Sequence, residues 1–481
     1  MKTMTTILCK QIKSRFVVLT GILLGLSGLV RAEFIQCDNA DIARAYELAV
    51  QTVQSNVRDG ILAAGAEYGG EWTRDSAINA WNGVSLLDPA VAERSLWSVT
   101  ENRKVIGHQH WDHIIWVVAA LNQYRTTGSR EFLKESYMCS AASMLRLEFT
   151  AYDPNTGLFR GPSVFNDGIA GYPEPIYDKT NVSSYVLDHP NSANIKCLST
   201  NSLYVGAYRA LAQMARMLGD DSARIALYED KAQRLSVQIQ KHLWQKKENR
   251  LNYLVDHRGV VVPSQEGLGI SFAVIFDVLN NQQAAAVVSN ASVSKFGIVS
   301  IYPDFAQFSA DKPGRHNNLI WPMVNGFFAK AAITTGQTGP FMHELEGLTR
   351  LALDADKGNN EFWEIYNPQT GKPDGGWQTG SQWKSCRRQT WSATAYINMV
   401  QFGLAGLRME NDGISFSPYM PQQASSLKLS GLTYRGFPLS IAVSGTGNTV
   451  KSFTVNGKTR PKARLDAAEV QAATVIVIEV K

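Results

Sequence analysis

From about residue 40 to 406, apolar residues recur at three- and four-residue spacing, the signature of helices with one buried face. "DNADIARAYELAVQTVQSNV" opens on cap-type residues and then carries this spacing. "HIIWVVAALNQY" and "LYVGAYRALAQMARML" carry it most clearly. The pattern predicts a helix from about 40 and eleven more at roughly 73–85, 89–103, 111–127, 130–150, 199–217, 220–244, 266–278, 282–292, 318–336, 339–354 and 390–406. Antiparallel helices in even number can close as a double ring, six inside six, with a helical solenoid as the alternative. Two connections, 151–198 and 355–389, are long and rich in Gly, Pro, Asn and aromatic residues. Such loops inside a helical domain point to function.

After about 410 the period changes. "GISFSPYMP", "SLKLSGLTYRG", "PLSIAVSG", "VKSFTVNG" and "ATVIVIEV" are short β-type runs separated by Gly, Pro and Asn. They predict a small antiparallel β-sandwich over 409–481 that caps the helical domain; a separate sugar-binding role is the alternative. The N-terminus reads differently again. "MKTMTTILCKQIKSR" is basic, "FVVLTGILLGLSGLV" is apolar, and "VRA" precedes Glu33. This is the pattern of a cleaved signal peptide over 1–32. The apolar run falls short of the roughly 20 residues that span a bilayer. The expected layout is therefore a leader (1–32), a helical domain (33–408) and a β-domain (409–481), exported to the periplasm or secreted, with no stable membrane insertion.

Composition adds little beyond this. The hydrophobic fraction of 44% and charged fraction of 19% are ordinary for a globular chain. A net charge of +5 without a basic cluster argues against nucleic acid. Eleven Trp and 17 Tyr are on the high side, which is weak evidence for a flat ligand such as a sugar, since core packing accounts for most of them. Beyond the leader the cysteines are Cys37, Cys139, Cys197 and Cys386. Export would permit their oxidation, and the spacings select none of the three pairings. No CxxC or His/Cys cluster is present, so no metal or other cofactor is expected.

Hydrolysis of a glycosidic bond usually takes two carboxyl groups, one donating a proton and one activating water or attacking carbon. Four segments place carboxylates among rings and glycines. In "YGGEWTRDSAINAW", Asp75 could cap a helix, or Arg74 and Asp75 could bind sugar hydroxyls while Trp72 stacks on the ring. "IGHQHWDHIIW" holds His108, His110, Trp111, Asp112 and His113. His110 and His113 could share a metal, but without an HExxH motif a polar pocket wall is the better reading. In "YDPNTGLFRGPSVFNDGIAGYPEP", Asp167 follows Phe165 and Asn166, and either a desolvated acid or an Asp-Gly turn accounts for it. In "EFWEIYNPQTGKPDGG", Glu361 and Glu364 flank Trp363, either could be the base, and Asp374 is a third candidate.

"EWTRDS", "GLFRGPSVFNDG", "HNNLIWPMVNGFFAKAA" and "EIYNPQTGKPDGG…TWSATAY" together resemble the (α/α)6-barrel glycoside hydrolases. The likeness is to the group around family 63, the family 37 trehalases and the mannosylglycerate-hydrolase-like enzymes. It covers roughly 40–406, and the β-rich tail is similar to the C-terminal β-domain of several relatives. It implies a six-hairpin barrel and an inverting hydrolase of an α-linked glucoside or mannoside. It further implies Asp167 as general acid, in the loop between the fifth and sixth helices, and Glu364 as general base. Trp72, Arg74, Asp75, His110, Trp111, Trp321 and Trp363 would line the pocket. The acid's setting reads Phe-Asn-Asp-Gly where trehalases have Trp-Asp-x-Ser. Trp-Thr-Arg-Asp stands where family 63 enzymes often have Trp-Trp-Asp. Glucose and mannose both stay open. The rival readings are a disaccharide phosphorylase on the same barrel, a non-catalytic glycan-binding protein, and a lyase or epimerase.

Overall fold

The computed structural model describes residues 34–354 and 360–481. The expected leader lies outside the described residues. From Glu33 onward the chain packs as one compact unit. Among the described residues no helix is long and apolar enough to cross a membrane.

The helices fall where the apolar period puts them. They are α1 (Ala40–Ser55), α2 (Thr73–Asn79), α3 (Pro89–Ser98), α4 (Ile115–Thr127), α5 (Arg130–Thr150), α6 (Leu198–Leu218), α7 (Ser222–Leu243), α8 (Gly267–Ile275), α9 (Asn281–Ser289), α10 (Pro322–Thr334), α11 (Thr338–Leu353) and α12 (Thr390–Asn398). The even-numbered helices pack on one another in a closed cycle, α2 on α4, then α6, α8, α10, α12 and back to α2. The odd-numbered helices lie against this cycle: α3 on α2 and α4, α5 on α4 and α6, α9 on α8 and α10, and α11 on α10 and α12.

Sequence separates the two sets. An even helix is surrounded by protein on nearly every face; every residue of α2 and of α12 is buried. Five odd helices begin with a side chain that caps the first turn: Asn39, Asp88, Ser129, Asp221 and Asn280. None of the six even helices has such a cap. Their N-terminal residues are Trp72, Ile114, Cys197, Glu266, Trp321 and Gln389.

Two even helices are shorter than their period predicts. Helix α2 widens into a π-type turn at Ala80–Val84, and α12 does so at Met399–Leu404. The two meet closely at Gly83, where a Cβ would stand 2.5 Å from Ile397 Cγ2. A larger residue there would push the helices apart.

The C-terminal strands are β2 (Leu407–Met409), β3 (Gly413–Phe416), β4 (Ser426–Tyr434), β5 (Phe437–Gly445), β6 (Val450–Val455), β7 (Lys458–Thr459), β8 (Arg464–Asp466) and β9 (Thr474–Val480). One sheet has the order β2-β3-β8. The larger runs β1-β4-β5-β9-β6-β7, in which β1 is Ile35–Cys37. Two expectations change here. Ile35–Cys37, assigned by sequence to the helical part, is an edge strand on Leu427–Leu429. The β-region is also not purely antiparallel, because β5 and β9 pair in parallel. Local alternation fixes which face of a strand is buried, but not the direction of a partner that arrives after three intervening strands. Among the described residues, Cys37, Cys139, Cys197 and Cys386 are free thiols.

One buried carboxyl ties the ring to its connections. Glu344 of α11 accepts from Asn325 Nδ2 of α10 at 2.6 Å and from the Ile298 N–H at 3.0 Å. Burial pushes its carboxyl up from 4.5 to about 8, against the pull of these donors. A raised folded value means that its contribution is complete below about 4.5 and is lost as pH rises through about 8. The thermal midpoint should therefore fall between about pH 5 and 8. Glu344→Gln, which keeps an acceptor but does not titrate, should flatten part of that fall in denaturation scans, and an unchanged slope would reject the assignment.

Candidate active site

The connection between α5 and α6 is pinned from several sides. Ser163 Oγ donates to Glu266 Oε1 at 2.6 Å, and the Val164 N–H donates to Ser199 Oγ at 2.9 Å. The Val186 N–H donates to the Asp167 carbonyl at 2.8 Å. Phe165 takes a φ of +59°, which bulky residues avoid. Its ring lies 5.0 Å from that of Trp321. A Cβ on Gly168 would stand 2.2 Å from His316 Nδ1. Gly168 has φ −91°, so it serves this close approach rather than an Asp-Gly turn. The result places the Asp167 carboxyl in a cavity of about 220 Å³.

Glu364 lines the same cavity. Its N–H donates to the Cys386 carbonyl at 2.9 Å, and the Cys386 N–H donates back to Oε2 at 3.1 Å. Tyr366 exchanges backbone bonds with Ile320, which brings the 360–389 connection against the start of α10. Glu361 instead forms an exposed two-bond pair with Arg387, at 2.9 and 2.8 Å. Asp374 accepts from the Gly376 N–H and from Asn367 Nδ2, which is the work of a turn.

Two guanidiniums hold the carboxylates. Arg74 lies 3.3 Å from Asp75, 3.0 Å from Asp112 and 3.4 Å from Asp167. Arg315 lies 2.9 Å from Glu364, and both side chains are buried. Four carboxyls thus face two cations. Burial, and then the Glu364 charge, push Asp75 up to about 7 against Arg74. Burial pushes Asp112 up to about 6, again against Arg74. Asp167 goes the other way. Burial raises it, but Arg74, then the His316 ring, the Gln109 amide and Arg315 hold it below the usual range. His316 Nε2 lies 3.5 Å from Asp167 Oδ1. Burial drives this imidazole down to about 3, so it is neutral and acts on Asp167 as a dipole, not as a charge. The fixed positive charge beside Asp167 is Arg74.

The cavity wall also carries Trp72, Arg74, Asp75 and Trp321, as the sequence suggested. Three other expected residues do not line it. His110 stands edge-on to Trp111 at 5.3 Å. Trp111 is fully buried in a separate apolar cluster with Ile169 and Tyr172. Trp363 packs on the helical core, with the Arg387 guanidinium 5.8 Å from its ring. His113 is buried, which lowers it to about 4. Arg315 and His316 were missed, as were the wall residues Tyr68, Gln378 and Trp383. The only local signal was the "HNNLIW" run that begins at His316.

Residues 68–392 match the family profile described as the mannosylglycerate hydrolase MGH1-like glycoside hydrolase domain. Residues 407–460 match the glycosyl hydrolase family 65 C-terminal domain. No curated protein matches the chain. Among solved structures it is similar to a sialidase, with TM-score 0.68 and 16% identity over 91% of this chain and 41% of the other. It is also similar to a family 78 rhamnosidase from a Bacillus species, with TM-score 0.59 and 13% identity over 86% of this chain and 42% of that one. The chain thus spans about two fifths of each of these two proteins. A family 63 mannosylglycerate hydrolase from Thermus thermophilus aligns over 74% of this chain and 99% of its own, with TM-score 0.55 and 16% identity. At such identities the structural likeness speaks for the fold alone. The profile match spans well over half the sequence, and the chain belongs to the mannosylglycerate hydrolase MGH1-like glycoside hydrolases.

Proposed function

We propose that this glycoside hydrolase inverts the anomeric centre of a small, neutral α-linked glucoside or mannoside. We read its helices as an (α/α)6 barrel and its strands as an appended β-domain, divided near 408/409. The observation that carries the reading is one ring-walled cavity containing both Asp167 and Glu364, each beside its own guanidinium. The closed cycle of even helices supports the barrel. Export rests on the leader pattern of 1–32 alone.

Glu364, paired with Arg315, takes a proton from the attacking water. Asp167 donates a proton to the departing oxygen. Inversion requires these carboxyls to lie about 6.5–9.5 Å apart, with the water between. Trp72, Trp321 and Trp391 offer apolar faces to the sugar. Both pocket guanidiniums are already neutralised by carboxylates, which favours a neutral substrate over an acidic one and speaks against a lyase. A phosphorylase would seat phosphate where Glu364 stands, and two anions at one site repel.

Two experiments test this. Asp167→Asn should lower kcat about 10²–10⁴-fold on glycosides with poor leaving groups, and far less on activated aryl glycosides. Glu364→Gln should lower both alike. Equal sensitivity of the two variants to the leaving group would overturn the assignment, as would a retained product anomer in NMR.

The pH dependence gives a second test. Asp167 must be protonated to act, yet Arg74 holds it low in the empty pocket. A bound sugar excludes water and favours the neutral acid. Since kcat/KM reports the free enzyme and kcat the complex, the basic limb of kcat/KM should lie at lower pH than that of kcat. Coincident limbs would show that substrate does not raise the acid.

A further inference from the structure

The even helices frame a second cavity at their other end. It measures about 290 Å³ and lies among the last turns of α2, α4, α8, α10 and α12, closed by β2. Both π-type turns line it, through Trp81 and Phe402. Three cations converge there: Lys330 of α10, Arg125 of α4 and Arg408 of β2.

Their partners are all neutral. Arg125 donates to Gln213 Oε1 at 2.6 Å and to Asn411 Oδ1 at 3.0 Å. Arg408 donates to the Phe402 and Leu407 carbonyls and lies on the Phe402 ring, 3.5 Å from its centre. Among the described residues the Lys330 ammonium makes no hydrogen bond and no ion pair, and it hangs between the Trp81 and Phe402 rings at 4.4 and 4.6 Å. Lys330 is 9% exposed. Among the described residues, no carboxylate forms a salt bridge with any of the three. Burial, then Arg408, then Arg125 push Lys330 down to about 7.

Cations at helix C-termini often serve only to cap free carbonyls. Arg408 does this for Phe402. Lys330 does not, because its Nζ has no carbonyl acceptor among the described residues. A buried charge without a counter-charge is strongly unfavourable, and two rings compensate only part of it. Polar groups complete the wall: Asn122, Asn398 and Gln401 line the same space.

We propose that this cavity is an anion site, in which Lys330, Arg125 and Arg408 together hold a phosphate-sized oxyanion. Guanidinium forks and an ammonium suit the several acceptor oxygens of a phosphate group, free or carried on a sugar. The site is separate from the carboxylate pocket and does not depend on the reaction assigned there.

Equilibrium dialysis of the whole protein tests it, with inorganic phosphate in one arm and glucose 6-phosphate in the other, at ionic strength fixed with chloride. Binding of either anion is expected. The bound anion should also raise the thermal midpoint by mass action. Lys330→Met, an apolar replacement of similar length, should weaken binding by about tenfold or more and abolish the thermal response. Should Lys330→Met fail to fold, Arg125→Gln gives the same readout. Binding of inorganic phosphate points to a free ion as the natural ligand; binding of glucose 6-phosphate alone points to a phosphorylated sugar. No binding of either, or binding that these substitutions leave unchanged, overturns the proposal.

Discussion

The candidate site depends on Arg74, one guanidinium inside three carboxyls. It stands in the first turn of α2, yet it reaches Asp112 before α4 and Asp167 in the connection before α6. Its plane also lies near the rings of Trp72 and Trp391, at 5.1 and 5.5 Å. One side chain thereby fixes the starts of α2, α4 and α12 relative to the loop that carries Asp167. Removing one partner from a buried ionic network typically costs about 3–5 kcal/mol, because the others are left uncompensated. A Lys would not serve, since a point charge cannot present separate donors to three carboxyls.

Most of the helical architecture was legible in the sequence, because the period that marks a helix is set by the core it must face. Each predicted segment contains its helix, apart from residues at the margins such as Leu198, Leu218 and Thr338. The exceptions are physical. Residues 80–84 and 399–404 keep an apolar pattern through π-type turns that a period of 3.6 does not distinguish. The parallel partner of β5 was hidden because alternation is local and sheet order is not.

The site was legible only in part. Trp72, Arg74, Asp75, Asp167, Trp321 and Glu364 stand in stretches whose composition is wrong for a surface loop, and all line the cavity. His110, Trp111 and Trp363 stand in similar stretches and do not. A ring beside a carboxylate can stack on a sugar or fill a core, and sequence alone does not separate the two; Trp111 is 0% exposed. Arg315 and His316 gave the weakest signal because their placement comes from far along the chain. The Arg315 N–H bonds to the Trp377 carbonyl, and Arg315 Nη1 donates to the Gly375 carbonyl. Nothing within ten residues announces either contact.

The arrangement of charge follows the helix directions. Helices α2, α10 and α12 bring their first residues to the carboxylate pocket and their last turns to the cationic cavity. Aligned helices place partial positive charge at one end and partial negative charge at the other. The sequence sorts its ionisable groups to match, with Asp75, Asp167 and Glu364 at the N-terminal ends and Lys330 and Arg125 toward the C-terminal ends. The even helices α2, α10 and α12 begin without an N-cap side chain, so groups from other segments and the pocket face that positive end. This field opposes a protonated acid. In its proposed role as acid, Asp167 gains its proton only if burial under the substrate outweighs both Arg74 and the helix ends, so the acid is the group that substrate binding must tune.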